Sequence, residues 1–231
     1  VRGEILLDAN SNVYVVGSTE SVNFPVTAGV VQTAYGGGSQ DGFIMKCDRL
    51  LSTMIWSTYF GGTAADAIYS ISLNEFNKPS VAGGTSSTDF PVTSSAIMPT
   101  YQGGSADGFV SLIQSDGSSV LRSTYWGTSA YDQAYFVETD KQNNFYLFGQ
   151  SASTGSVLIQ NATWYTIGGG QFISKINPMM NTVEWSTRFG NSDGVVNISP
   201  TAFLVDYCHN IYLSGWGSPY LNGFGGTAGL P

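Results

Sequence analysis

One ten-residue segment recurs along this chain at a constant interval. It reads Asp8-Ala-Asn-Ser-Asn-Val-Tyr-Val-Val-Gly17, then Asp140-Lys-Gln-Asn-Asn-Phe-Tyr-Leu-Phe-Gly149, then Asp206-Tyr-Cys-His-Asn-Ile-Tyr-Leu-Ser-Gly215, with a divergent copy from Asn74 to Gly83. The closing glycines stand at 17, 83, 149 and 215, so each step is 66 residues. A fixed period of this kind means one supersecondary unit used repeatedly, each copy burying its apolar face against the next. Within each copy a polar turn feeds a short apolar run, such as Val13-Tyr-Val-Val16 or Phe145-Tyr-Leu-Phe148, that stops at a glycine. Short runs that are nearly all apolar read as strands covered on both faces.

Each full unit carries four such stretches: 4–8, 12–18, 42–48 and 53–60 in the first, 67–74, 78–84, 108–114 and 119–126 in the second, 133–140, 144–150, 171–177 and 182–189 in the third. The fourth unit has two, 200–206 and 210–216. Segments 48–52 and 114–118 have hairpin length and turn residues, including Asp116-Gly117. No window shows helical periodicity. The expected fold is all-β, a β-propeller of four-stranded antiparallel blades. Its units are 1–66, 67–132, 133–199 and a partial 200–231. Three and a half blades fall short of the roughly four to eight that close a ring, so the remaining blades are expected elsewhere in a longer chain.

The unit exceeds the roughly 40–45 residues of a WD40 blade, and the excess lies between its second and third strands. In the first unit it holds Phe24-Pro-Val-Thr27 and Tyr35-Gly-Gly-Gly-Ser-Gln-Asp-Gly-Phe43, matched in the second by Phe90-Pro-Val-Thr93 and Tyr101-Gln-Gly-Gly-Ser-Ala-Asp-Gly-Phe109. The third unit lacks Phe-Pro-Val-Thr, and Phe172 follows Phe109 by 63 residues instead of 66. These loops are expected to gather on one face of the ring and to carry any local function.

Asn12-Val-Tyr-Val-Val-Gly-Ser-Thr19, Trp56-Ser-Thr-Tyr-Phe-Gly-Gly62, Asp89-Phe-Pro-Val-Thr93 and Tyr101-Gln-Gly-Gly-Ser-Ala-Asp-Gly-Phe109 together resemble the SBBP repeat, a bacterial β-propeller repeat. The fourth unit, 203–217, is similar to the version found in large surface proteins of Bacteroidota. The resemblance implies export to the cell surface or medium by the type IX secretion system, and association with gliding or adhesion machinery. It implies no catalytic residue, because the recurrent positions of the family are architectural.

Composition narrows the partners. The chain is 42% hydrophobic and only 10% charged, with net charge −8 and eight Lys+Arg scattered singly. A nucleic-acid surface needs clustered basic residues, so nucleic acid is not an expected partner. No stretch reaches the roughly 18 apolar residues of a membrane span, and residues 1–8 read as a strand, not a signal peptide. Cys47 and Cys208 occupy different slots of different units and read as buried small apolar residues rather than a disulfide.

Several constellations invite a chemical reading. Asp41, Asp66, Asp107 and Asp132 recur, and an Asp before a strand commonly accepts backbone N–H groups. Calcium is the alternative there, although no Asp-x-Asp-x-Asp run supplies the six to eight oxygens it takes. A sialidase-like site needs convergent arginines, and Arg2, Arg49, Arg122 and Arg188 sit in unlike slots. His209, the single histidine, falls in a turn position held by Ser11 and Asn143 in other units. The glycine runs at 36–38, 168–170 and 223–226 are not followed by Gly-Lys-Ser/Thr and read as loops. Trp56, Trp126, Trp185 and Trp216 read as packing residues.

The expected function is thus a non-catalytic extracellular module for protein or glycan contact, with no metal or cofactor. Its contact residues are Trp164 and Tyr165 in the divergent loop, together with Phe24 and Phe90. The competing expectation is a polysaccharide-active or quinone-dependent enzyme whose active site lies in other blades.

Overall fold

The computed structural model describes residues 3–217. Among these residues fourteen strands form three four-stranded sheets and one two-stranded sheet, every pairing antiparallel and between chain neighbours. The first sheet comprises β1 (Glu4–Leu7), β2 (Val13–Thr19), β3 (Asp41–Cys47) and β4 (Met54–Phe60). The second comprises β5 (Asp66–Leu73), β6 (Pro79–Thr85), β7 (Asp107–Ile113) and β8 (Val120–Trp126). The third comprises β9 (Asp132–Thr139), β10 (Phe145–Ser151), β11 (Gln171–Ile176) and β12 (Val183–Phe189), and the fourth β13 (Ser199–Val205) and β14 (Ile211–Trp216). The chain is all-β, with repeated blade-like sheets. Among the described residues no helix is long and apolar enough to cross a membrane.

The recurrent polar segment is the turn between the first two strands of each sheet. Asp8 Oδ1 accepts from the amides of Asn10 (2.9 Å) and Asn12 (2.8 Å). Asp140 repeats this with Gln142 and Asn144, and Asp206 with Cys208 and Asn210. In the divergent copy the Asn74 side-chain oxygen takes Phe76 and Lys78. The turn forces one residue into left-handed backbone, namely Ser11, Asn77, Asn143 and His209, with φ between 54° and 63°. Asn and short polar residues tolerate that region best.

The closing glycines answer to close approach. A Cβ on Gly83 would lie 1.9 Å from the carbonyl oxygen of Ala67, and one on Gly149 2.1 Å from that of Gln133. In each case the neighbouring first strand carries an extra residue beside the glycine, Tyr69 between Ile68 and Ser70 and Tyr135 between Ala134 and Phe136. That is the geometry of a β-bulge.

Successive sheets pack face to face, with β5 against β1–β3 and β9 against β5–β7. One apolar core runs through the first three sheets, and a second, built on Tyr146, Phe148, Ile173, Phe189 and Phe203, joins the third to the fourth. Strands β6 and β10 are buried along their whole length, as expected for strands covered on both faces. Among the described residues the two end sheets are covered on one side only. Ile5 on β1 is 68% exposed, whereas Ile71, 66 residues on, is 3% exposed.

The long loops depart from expectation. They double back along the fourth strand of their own sheet instead of standing free of it. Thr27 N donates to Ser57 O (3.0 Å) and Tyr59 N to Gln32 O (3.1 Å), and the second loop repeats this with Thr93, Ser123, Tyr125 and Met98. The physical reason is edge satisfaction: an outer strand presents unpaired N–H and C=O groups, and the loop supplies their partners.

Candidate contact site on the third loop

The residues proposed for contact divide into two pairs. Phe90 is 3% exposed, with its ring 4.3 Å from Phe109 and 5.2 Å from Phe60 of the preceding sheet. It locks the loop between two sheets and offers no contact surface, which corrects the expectation. Phe24 makes the same inward contact with Phe43 at 4.6 Å, and its residual exposure follows from the uncovered face of the first sheet. Trp164 and Tyr165 are the exposed pair, at 44% and 50%.

A hydroxyl anchors the first two loops. Phe24 N donates to Tyr59 Oη (2.8 Å), whose own proton goes to Ser21 O (2.7 Å). Tyr125 makes the matching bonds with Phe90 N (3.1 Å) and Ser87 O (2.8 Å). In the third sheet the equivalent residue is Arg188, since Gln171 pairs with Phe189 as Gly108 pairs with Trp126. Arg188 is fully buried. Its Nε donates to Gly169 O (2.8 Å), Nη1 to Gly155 O (2.9 Å), and Nη2 to Ser153 O (2.7 Å) and Ser151 O (3.2 Å). A guanidinium offers five donors and no acceptor, so the loop around it presents carbonyls where the others present one amide and one carbonyl. In the sequence Arg188 shares no slot with Arg2, Arg49 or Arg122, and the signal for its role is its alignment with Tyr59 and Tyr125.

The rest of the third loop is tied to β12. Gln160 and Ser186 exchange both backbone hydrogen bonds, at 2.9 and 2.7 Å, and Ser186 Oγ donates to Leu158 O (2.6 Å). Thr187 Oγ1 donates to Trp164 O, and the Trp164 ring stacks on Phe189 at 6.1 Å. Strand alternation puts Trp185, Thr187 and Phe189 on one face of β12. Over that face lies a cleft of ≈ 330 Å³ lined by Asn161, Ala162, Thr163, Trp164, Trp185 and Thr187, none of them ionisable. Tyr165, Val157 and Ile167 stand on the solvent side of the same loop, each about half exposed.

The aspartates weighed for calcium are buried at the starts of strands. Oδ2 of Asp41 accepts from Gly36 N (2.5 Å), that of Asp66 from Gly62 N (2.7 Å), that of Asp107 from Gln102 N (2.5 Å) and that of Asp132 from Thr128 N (2.7 Å). Each is therefore a backbone acceptor. Among the described residues no hydrogen-bond donor reaches the four Oδ1 atoms, and no group of three His, Cys, Asp or Glu side chains is placed to hold a metal. Burial raises all four carboxyls, Asp66 to about 6 and Asp107, beside Asp132, to about 7.

His209 lies between sheets: its Nδ1 is 3.2 Å from Tyr146 Oη and 3.6 Å from Asp140 Oδ2, and Asp140 also pairs with Lys175 at 3.3 Å. Lys46, Asp8 and Tyr14 form the same constellation in the first sheet, with Lys46 3.0 Å from Asp8 and 4.7 Å from the Tyr14 ring centre. Both cysteines are free; Cys208 is exposed and Cys47 half-buried, so neither is the core residue expected. Trp56 and Trp126 are buried as packing residues, whereas Trp216 is exposed.

No protein-family model matches the chain, and no curated protein does either.

Proposed function

We propose that this chain is a non-catalytic β-propeller module of a secreted or cell-surface bacterial protein, making protein or glycan contacts through the outer side of its third loop. One observation carries the reading: the side chains that could do chemistry are committed to holding backbone. The recurrent aspartates accept turn amides, and Arg188 is committed to four carbonyls, three in the divergent loop and one at the end of β10. Among the described loops this one abandons the repeat, and it turns Tyr165, Val157 and Ile167 outward. Such exposed aromatic and aliphatic side chains on a rigidly tied loop suit recognition.

Further blades on both sides complete the ring in this reading. Face-to-face stacking of successive sheets and the exposed apolar side chains of both end sheets support it. A place outside the cell, in an adhesion, gliding or type IX secretion-associated complex, rests on the motif resemblance to SBBP repeats.

The test is a solid-phase binding screen against bacterial surface proteins and purified polysaccharides, with Tyr165→Ala/Ile167→Ala as the comparison. Binding that falls at least tenfold in the double variant is the expected result. Depolymerisation of any polysaccharide in the panel, abolished by one carboxylate substitution, overturns the proposal in favour of an enzyme.

A further inference from the structure

Among the described residues the first strand of each complete sheet is an edge strand, paired with the second alone. Strand β5 packs against both β1 and β9, and side chains cross between the three. Glu4 Oε2 of β1 accepts from Ile71 N (2.7 Å), and Thr139 Oγ1 of β9 donates to Leu73 O (3.1 Å). In return Ser70 Oγ accepts from Val137 N (3.1 Å). Ser72 Oγ donates to Glu138 Oε2 (3.3 Å) and lies 3.1 Å from Thr139 Oγ1. An edge strand needs such partners, because its outward N–H and C=O groups have no ladder to meet.

Two slots of the repeat supply these contacts. Glu4 stands opposite Val16 as Ser70 stands opposite Ala82, and each accepts the corresponding amide of the next sheet, Ile71 or Val137. Ser72 stands opposite Ser80 as Glu138 stands opposite Tyr146. The second sheet therefore has serine in both slots. The first sheet places a carboxylate in one of them and the third sheet a carboxylate in the other. Both carboxylates reach β5, from opposite sides.

A serine hydroxyl serves this edge at any pH, whereas a pair of carboxylates does not. Burial pushes Glu138 up to about 7, the charge of Glu4 acts in the same direction, and the Ser72 bond opposes them. The strands packed against β9 also carry Asp66 and Tyr69 on β5, Asp107 on β7, Arg122 and Tyr125 on β8, and Tyr146 on β10. Lys175, opposite Tyr146, pairs with Asp140 at 3.3 Å. Among the described residues no Lys, Arg or His pairs with Glu138. Its ionisation thus sets two like charges on the flanks of one strand, and moving one of them away relieves the repulsion.

We propose that Glu4 and Glu138 make this edge a proton-controlled clasp. With Glu138 protonated, the first three sheets are held together at β5. With Glu138 ionised, its side chain leaves Ser72, and the third sheet loosens from the second along β5 and β9. The clasp depends neither on ring closure nor on what the module binds.

Hydrogen exchange of the 231-residue chain between pH 4 and 9, corrected for the intrinsic pH dependence of amide exchange, tests it. The folded value of Glu138 lies above its ordinary 4.5, so the closed form's advantage is complete below that value and lost through about 7. Protection of the Ile71 and Val137 amides should therefore fall at least about tenfold between pH 5 and 7 and level off above. Glu138→Gln should remove that fall at both amides and leave the β7 amides exchanging as before. Glu4→Gln should make the fall smaller and end it at lower pH. Protection that does not change with pH overturns the proposal. So does a fall that persists in Glu138→Gln, or one that Glu138→Gln removes equally from the β7 amides, because the carboxyl then acts on global unfolding. A fall that Glu4→Gln leaves unmoved overturns the pairing of the two carboxylates.

Discussion

Arg188 occupies in the third sheet the position that Tyr125 holds in the second, and this exchange explains why the third loop leaves the repeat. A hydroxyl serves one amide and one carbonyl, Phe90 N and Ser87 O. A guanidinium serves carbonyls alone, here those of Ser151, Ser153, Gly155 and Gly169. The backbone that satisfies one cannot satisfy the other, so the loss of Phe-Pro-Val-Thr and the arrival of Arg188 go together.

Arg188→Met should destabilise the chain by roughly 3 kcal/mol or more, because several buried carbonyls lose their donors at once. Tyr125→Phe should cost about 1–3 kcal/mol, the penalty for one stranded amide and one stranded carbonyl. Urea denaturation measures both. A loss below about 0.5 kcal/mol for Arg188→Met would mean water replaces the guanidinium.

Gly149→Ala should destabilise by about 1–3 kcal/mol through overpacking, since the added methyl meets Gln133 O at 2.1 Å and the Phe172 ring at 2.5 Å. Gly155→Ala in the same unit meets only the Ser153 hydroxyl, at 3.4 Å, and should change the unfolding midpoint little. Equal effects at the two sites would show that the closing glycine is not set by close approach.

Stability should fall as pH rises from about 4 to 7. Burial raises Asp66 to about 6, Asp107 to about 7 and Glu138, beside Glu4, to about 7. The folded chain therefore keeps protons that the unfolded chain releases, and that stabilisation, complete below about pH 4, is lost through the folded values. Asp8 acts oppositely: burial opposes its ionisation, but Asn12 and Lys46 prevail and hold it at about 2, so its contribution disappears only as pH falls through that value. Melting temperatures across this range provide the check, with Asp107→Asn expected to flatten the neutral limb.

Thiol reagents should label Cys208 rapidly in the folded chain and Cys47 more slowly, with no change in melting temperature on adding reductant. A reductant-sensitive melt would require a disulfide, contrary to the two free thiols.

The 66-residue spacing and the alternation of turn and apolar run made the strands and their hairpins legible without coordinates. The turn signal is local, since a polar turn with one left-handed residue, followed by a strand, is encoded within about ten neighbours, and the spacing only shows that local signal repeated. The role of the aspartates as backbone acceptors was readable for the same reason. The course of the long loops was not, because it depends on which edge strand needs partners, and that is known only once the sheets exist. Nor could the sequence separate Phe90 from Trp164, two aromatics in loops of the same class; one is buried between two sheets and the other stacks on Phe189 with its outer side open. Arg188 was hidden because its partners are carbonyls, which every residue carries. Period and turn chemistry determined the unit, and packing between units decided which side chains are buried, which pin a loop and which remain open to a partner.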